Sequence, residues 1–593
     1  MSFFKTTLAT VLGIFLFFAL LFVLFMVFGL AASVSSTSPI AENSILKLKL
    51  DNPIPDKSKP EDLEIGSLGQ FSFAQTIGLA DMINTIEHAA TDNRIKGIYL
   101  ELSSTPSGFA NLKSLRDALA NFKTSGKFIV AYGETMTQGA YFIASVADKI
   151  YLNPTGLVLL KGFSTEIPFF KNTLDKLGVE PEIFYAGNFK SATEPFRLTK
   201  MSDYNRIQTR ELINGFQNIY IETVASARKM SPQQLTQIID NLTVRKAEDA
   251  KQSGVIDELA YYDGVLNDLE ARIGIAKDSK EKVKFANITT YFEDVKGDFQ
   301  KLTKDKIAVV YAEGSIVDGL GESGEVASEP FSKMFRRIRE DEQIKAVVLR
   351  VNSPGGSALA SDIMWRELKL IKEKGKPIIV SMGDVAASGG YYISCMADTI
   401  VAMPNTITGS IGVFGMMAEL DNFYADKLGI SYDTVKTTKF SDFPMSAIVN
   451  RDLRDEEKII IQQSVDQIYD TFLQRVAEGR GMTRDAVHQV AQGRVWTGEQ
   501  AKQKGLVDVL GNLDDAIRIA ATKANIADKY YVRYYPTDKD FATRIMEQIT
   551  GKETKQNIIK KELGPFYASY QQLKAITQMR GPQMRLPFVY NFE

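Results

Sequence analysis

The sequence predicts an α/β fold built twice in tandem, each copy with a mainly parallel sheet, behind an N-terminal transmembrane helix. Three observations carry this. The segments 136–150 (MTQGAYFIASVADKI) and 386–400 (AASGGYYISCMADTI) align without a gap at an offset of 250 residues. In both halves, short apolar runs alternate with Gly/Pro-rich turns and helical periodicity in the same order. Residues 10–33 (TVLGIFLFFALLFVLFMVFGLAAS) carry no charge.

The apolar run comes first. As a helix rising about 1.5 Å per residue, a run of this length crosses the roughly 30 Å of hydrocarbon in a bilayer. A cleaved secretion signal is the competing reading, and the small residues AASVSSTS at 31–38 leave room for it. Such a signal has a shorter apolar region, about 7–15 residues, so the run reads as an uncleaved anchor. Lys5 and the amino terminus precede it, while Glu42 and Lys47 follow, which places the N-terminus inside and the bulk of the chain outside.

The repeated elements follow in pairs. ILKLKLDNPIP (45–55) matches KIAVVYAEGSIVDG (306–319), and IKGIYLEL (95–102) matches IKAVVLRV (344–351). The second pair of strands runs into SSTPSG (103–108) and NSPGGS (352–357), turns whose Pro and Gly end a strand. Helical patterns at 112–122 and 358–375 lead to the strands KFIVAYG (127–133) and KPIIVSMG (376–383). Helix starts (GAYFIAS, GGYYISC), strands (KIYLNP, TIVAMP) and extended runs (EIFYAG, YDTVKT) come next, then long helices near 201–230 and 451–478. AEDAKQSGVIDEL (247–259) and TGEQAKQKGLVDVL (497–510) close the two halves. The chain thus divides into a short cytoplasmic segment (1–9), the anchor (10–33), a polar linker (34–44), a first repeat (45–290), a second repeat (300–520) and a C-terminal extension without counterpart (521–593), which includes YVRYYP and a Lys/Gln-rich helical tail.

Composition narrows the chemistry. The 593 residues exceed one hydrophobic core. A formal charge of -2 without a long basic run argues against nucleic acid as a partner. The single cysteine, Cys395, excludes an intramolecular disulfide and cysteine-based metal sites. Only two histidines occur, His88 and His488, both inside helical patterns away from glycine loops, so neither a Ser-His-Asp triad nor a histidine metal site is expected. No cofactor is implied.

What remains is serine with another base, and the two copies divide the parts between them. Ser388 has Gln138 as its counterpart. Lys190, in NFKSATEPF, faces Ser441 at an offset of 251. One half keeps a hydroxyl and the other an amine, the pattern of a fused dimer with one composite site. Ser388 follows a strand at the expected start of a helix, where free N–H groups can stabilise an oxyanion. Gly389 is one such donor, and the Gly355-Gly356 pair after Pro354 can turn in a second. A plain helix cap at Ser388 and a plain turn at 352–356 are the bland alternatives. Against them, the first copy lacks both the serine and the double glycine. Lys190 serves as a base only if its ordinary pKa of about 10.4 is lowered. Phe184, Tyr185, Phe189 and Phe196 are the expected apolar wall, and Ser191, Thr193 or Ser410 the expected hydrogen-bond partner. Ser410, in TGSIG, is replaced by Leu160 in the first copy and is assigned the orienting role.

SMGDVAASGGYYIS, NSPGG, TGSIG, YAGNFKSATEPF and RVWTGEQAKQKGLVDVLG together resemble the signal peptide peptidase A family in its long, duplicated form, membrane-anchored serine proteases of the S49 type, over about residues 1–540. The resemblance implies paired Clp-protease- or crotonase-like domains and a Ser/Lys dyad of Ser388 (nucleophile) and Lys190 (general base). It also implies a homotetramer on the periplasmic side of a bacterial inner membrane, with remnant signal peptides as substrates. Two other readings stand beside it. One is acyl-CoA chemistry on a crotonase-like fold with Glu134 or Asp384 as the acidic residue; the other is a non-catalytic membrane scaffold.

Overall fold

The computed structural model describes residues 2–33, 39–65, 71–277, 279–299, 303–527, 529–537 and 581–586, with isolated positions between 559 and 570. The expected Lys/Gln-rich tail falls largely outside these residues. Helix Ser2–Ser33 contains the apolar run, but most of its side chains beyond Leu20 also lie outside the described set. Among the described residues no helix is long and apolar enough to cross a membrane.

Each repeat is a sheet flanked by helices. In the first, six strands run in the order Glu258–Leu259, Lys149–Val158, Phe128–Met136, Ile95–Glu101, Ser44–Lys49, Lys284–Asn287, and all adjacent pairs are parallel. The second uses Lys306–Glu313, Ile344–Ser353 and Ile378–Ala387 as a parallel centre, with Thr399–Ala402 and Ile407–Gly409 both following Ile378–Ala387. The antiparallel strand Val495–Thr497 closes one edge. Buried on both faces, the central strands read as unbroken apolar runs; Ile307 to Val310 and Ala346 to Leu349 are fully buried.

The expected C-terminal boundary needs correction. Helix Leu513–Lys523 runs across residue 520, and Tyr531–Tyr535 pairs in parallel with Lys306–Glu313. That is the position Lys284–Asn287 holds beside Ser44–Lys49 in the first copy. The second repeat therefore extends to 535, and YVRYY has a counterpart after all. Its aromatic composition hid the match, since KFAN shares the strand's place but none of its residues.

Two joints hold the repeats together. Strand Glu180–Ala186 of the first pairs antiparallel with Val413–Glu419 of the second, in register from Ala186↔Val413 to Glu180↔Glu419. The equivalent run in the second copy, YDTVKT, forms no strand, and Val435 within it is 98% exposed. The other joint is polar. Arg350 donates to Asp56 Oδ1 through Nε (2.9 Å) and Nη2 (2.6 Å), to Asn111 Oδ1 (3.1 Å), to Ser381 Oγ (3.0 Å) and to the Met382 carbonyl (2.9 Å). Asn352 Nδ2 donates to the other Asp56 oxygen at 2.6 Å. Both charged side chains are buried, so removing one strands the other without water. Asp56→Ala is expected to lower stability by about 3–5 kcal/mol, read as a fall in the chemical-denaturation midpoint.

Candidate active site

The Ser388 hydroxyl and the Lys190 amine meet. Lys190 Nζ lies 2.9 Å from Ser388 Oγ, 3.1 Å from Ser410 Oγ and 3.2 Å from the Ser410 carbonyl. The contact is made within one chain across the repeat boundary, and all three side chains are buried. Of the three hydroxyls expected near the amine, Ser410 alone bonds it. Ser191 Oγ accepts from Gln208 Nε2 at 2.9 Å, and Thr193 Oγ1 accepts from Arg197 Nε at 3.4 Å.

Backbone geometry aims the nucleophile. Ser388 sits between strand Ile378–Ala387 and helix Gly389–Ser394 with φ 56° and ψ −114°. A non-glycine residue there costs about 1–3 kcal/mol and persists only when its surroundings fix it. They do: its N–H donates to the Gly409 carbonyl, and its carbonyl accepts from Tyr392 N–H, each at 2.8 Å. Ser410 also has positive φ, 52°, and its N–H donates to the Arg494 carbonyl at 2.7 Å.

The glycine loop lies against the same turn. Gly355 has φ 92°, and a Cβ there would come within 2.6 Å of Gly389 N. Its own N–H donates to Ser353 Oγ at 3.1 Å, so the Gly355 donor is already engaged. Gly389 begins its helix, so its N–H has no intrahelical acceptor. Gly356 N lies 3.2 Å from the point where a Gly389 Cβ would stand. Gly356 and Gly389 therefore converge beside Ser388.

Burial tunes the amine. Lys190 is 1% exposed, and desolvation pushes its pKa down to about 7. Its hydrogen-bond partners include no carboxylate, so nothing offsets that loss. Of the four aromatic residues expected as its wall, only Phe184 is buried; Phe189 packs edge-on against Tyr204, and Phe196 stacks on Phe170. The closest enclosure comes instead from the second repeat. A Cβ on Gly493 (φ 80°) would lie 2.6 Å from both Lys190 N and Cα, so only glycine lets that loop cover the lysine. Gln208 spans the boundary: Nε2 donates to the Phe189 carbonyl at 3.0 Å and Oε1 accepts from Val495 N–H at 3.3 Å. The sequence reading missed Gly493 and Gln208. The glycine in AQGRVW next to a repeated phrase was the available signal for the first; a helical glutamine gives none.

The acidic alternatives stand elsewhere. Glu134 is exposed on a first-repeat strand. Asp384 accepts from Asn111 N–H at 3.0 Å, at the start of helix Phe109–Lys123, and burial raises its pKa to about 6. At the vacated first-copy position, Gln138 Oε1 accepts from the N–H groups of Lys161 (3.1 Å) and Gly162 (2.9 Å), while Leu160 is buried. Ser441 is exposed and bonds its own turn. Each histidine pairs with a tyrosine hydroxyl, His88 with Tyr291 (2.9 Å) and His488 with Tyr469 (3.0 Å). Among the described residues no group of three or more His, Cys, Asp or Glu side chains is placed to hold a metal ion.

Comparison with known proteins agrees with the duplicated architecture. The model of Peptidase family S49 matches twice, at 121–276 and 371–527. The chain is 37% identical to "Protease 4" of Salmonella typhi over 530 residues, covering 87% of this chain and 84% of that protein. It is 32% identical to "Protease 4" of Haemophilus influenzae over 98% of this chain and 96% of that protein. It is 33% identical to "Serine protease SPPA, chloroplastic" of Arabidopsis thaliana over 82% of this chain and 70% of that protein. The chain belongs to peptidase family S49.

The strained serine has a measurable signature. Ser388→Ala and Ser388→Gly both lack the hydroxyl, but only glycine accepts φ 56° freely. The glycine variant is expected to be more stable than the alanine variant by about 1 kcal/mol, compared by denaturant unfolding.

Proposed function

We propose that the chain is a membrane-anchored serine endopeptidase that cleaves remnant signal peptides and other apolar peptides through a Ser388/Lys190 dyad. One observation carries this reading: a buried amine, with no carboxylate among its hydrogen-bond partners, 2.9 Å from a strained serine hydroxyl. Near pH 7 a substantial fraction of that amine is neutral and able to accept a proton. Lys190 takes the Ser388 proton as Oγ attacks the substrate carbonyl. The N–H groups of Gly389 and Gly356 hold the oxyanion, in a loop whose bend Gly355 makes. The protonated lysine then delivers the proton to the leaving amine, and water, deprotonated by the same lysine, hydrolyses the acyl-enzyme. Ser410 holds Nζ in line with the hydroxyl throughout. The scaffold reading requires Ser388 and Lys190 to be far apart, and they are in contact.

The anchor, the periplasmic placement at a bacterial inner membrane and a tetrameric assembly belong to this proposal. Their support is the uncharged run at 10–33, its charge flanks and the family membership. No role for a cofactor, metal or nucleic acid enters the chemistry.

Lys190→Ala is expected to lower kcat for an apolar peptide by about 10²–10⁴-fold; a variant with near-normal turnover would remove the lysine from the mechanism. Because the lysine acts when neutral, and burial sets its pKa at about 7, kcat/KM of the native chain is expected to be low in acid. It should rise through about pH 7 and level off above it. Ser410→Ala removes one partner of Nζ and is expected to reduce kcat/KM roughly fivefold, in line with about 1 kcal/mol for one hydrogen bond, in steady-state assays.

A further inference from the structure

The groove beside Ser388 is filled by the chain's own C-terminal segment. Strand Gln583–Arg585 pairs antiparallel with the glycine loop, Gly355↔Arg585, Gly356↔Met584 and Ser357↔Gln583. Its other edge meets the inter-repeat strand at Phe414↔Gln583, also antiparallel. Two flanking bonds extend the ladder: Leu586 N–H donates to the Pro354 carbonyl at 2.8 Å, and Ala358 N–H to the Pro582 carbonyl at 3.3 Å. The segment thus lies as an added strand between the two elements that frame the nucleophile, the mode in which a peptide docks on a sheet edge through its backbone.

The register points one peptide bond at the site. The position a Cβ would take on Gly355 is 2.0 Å from the Met584 carbonyl oxygen and 2.6 Å from Gly389 N. That carbonyl therefore lies next to the donor that follows Ser388 in the chain. The Met584 side chain is fully buried, in the apolar cluster that also contains Val351, Ala386 and Tyr391. Leu586, two positions on, is buried in a second cluster with Ala387, Ile407 and Val495. An unbranched apolar side chain precedes the bond facing the nucleophile, and a second apolar side chain follows it on the same face.

We propose that Pro582–Leu586 occupies the peptide-binding groove in the orientation of a substrate, with the Met584–Arg585 bond at the scissile position, and that the C-terminus competes with incoming peptides. The proposal rests on the peptidase reading above. It deepens it by naming the docking mode, strand addition, and the side chain wanted ahead of the cut, a long flexible apolar one.

The test uses the full chain. Met584→Asp places a charge in a dry pocket and is expected to release the strand, lowering KM for an apolar peptide at least fivefold. The synthetic peptide GPQMRLPF (581–588) should inhibit this variant competitively and return KM toward the native value, which also shows the variant to be folded. The same peptide with aspartate in place of its methionine should not inhibit. A KM unchanged by Met584→Asp, or equal inhibition by the two peptides, overturns the proposal. Binding of fluorescein-labelled GPQMRLPF to the doubly substituted chain Ser388→Ala, Met584→Asp, followed by anisotropy, separates the two readings because it needs no turnover. Saturable binding supports the groove assignment even if the dyad chemistry fails. No binding to this variant, in a preparation whose Ser388 parent hydrolyses peptides, overturns the groove assignment alone.

Discussion

A lysine taken fully out of water, with no anion bonded to its amine, is the constraint on which the rest depends. Keeping an ammonium in such a place is costly, so the amine sheds its proton near neutral pH, and a group that is ordinarily an acid becomes a base. Everything around Lys190 serves that exclusion of water. Gly493 lets backbone from the other repeat lie against its Cα, Gln208 ties its loop to the strand at Val495, and Ser410 offers an oxygen without offering charge. A carboxylate at any of these places would have raised the pKa again and silenced the amine.

Duplication explains how this enclosure is assembled. Each repeat supplies one wall and one reactive group, and the ladder between Glu180–Ala186 and Val413–Glu419 sets their separation. The abandoned half-sites show what happens once a position is free of that duty. Gln138 turned into a loop staple, Leu160 became core, and Ser441 went to the surface. The Asp56–Arg350 pair fixes the second joint and keeps Asp384, also at the boundary, occupied as the partner of a first-repeat helix start.

Much of this was legible in the sequence because a repeat is its own comparison. The aligned halves pointed to Ser388, Lys190 and Ser410 by showing which hydroxyls and amines one copy keeps and the other drops. The strand order followed from β-branched runs ending in Gly/Pro turns. What stayed hidden depends on distance along the chain. Asp56 and Arg350 are almost three hundred residues apart and carry no local signal. Gly493 reads as an ordinary turn glycine until its neighbour is known. Tyr531–Tyr535 shares a place with Lys284–Asn287 but no residues. Gln583–Arg585 is too short, and too closely followed by Pro587, to register as a strand at all; its pairing comes from the groove it enters. The aromatic wall around Lys190 failed for a related reason: neighbours in sequence on a loop need not be neighbours in space.

The division of labour between the halves has a bearing on how such an enzyme is made. Residue 190 leaves the ribosome long before residue 388, and the strand that carries its loop has no partner until 413–419 has been synthesised. Until then the amine has no enclosure and stays protonated, and the hydroxyl does not exist. A nascent or truncated polypeptide is therefore harmless to its surroundings, and hydrolytic power switches on only when the last of the two sheets closes over the first.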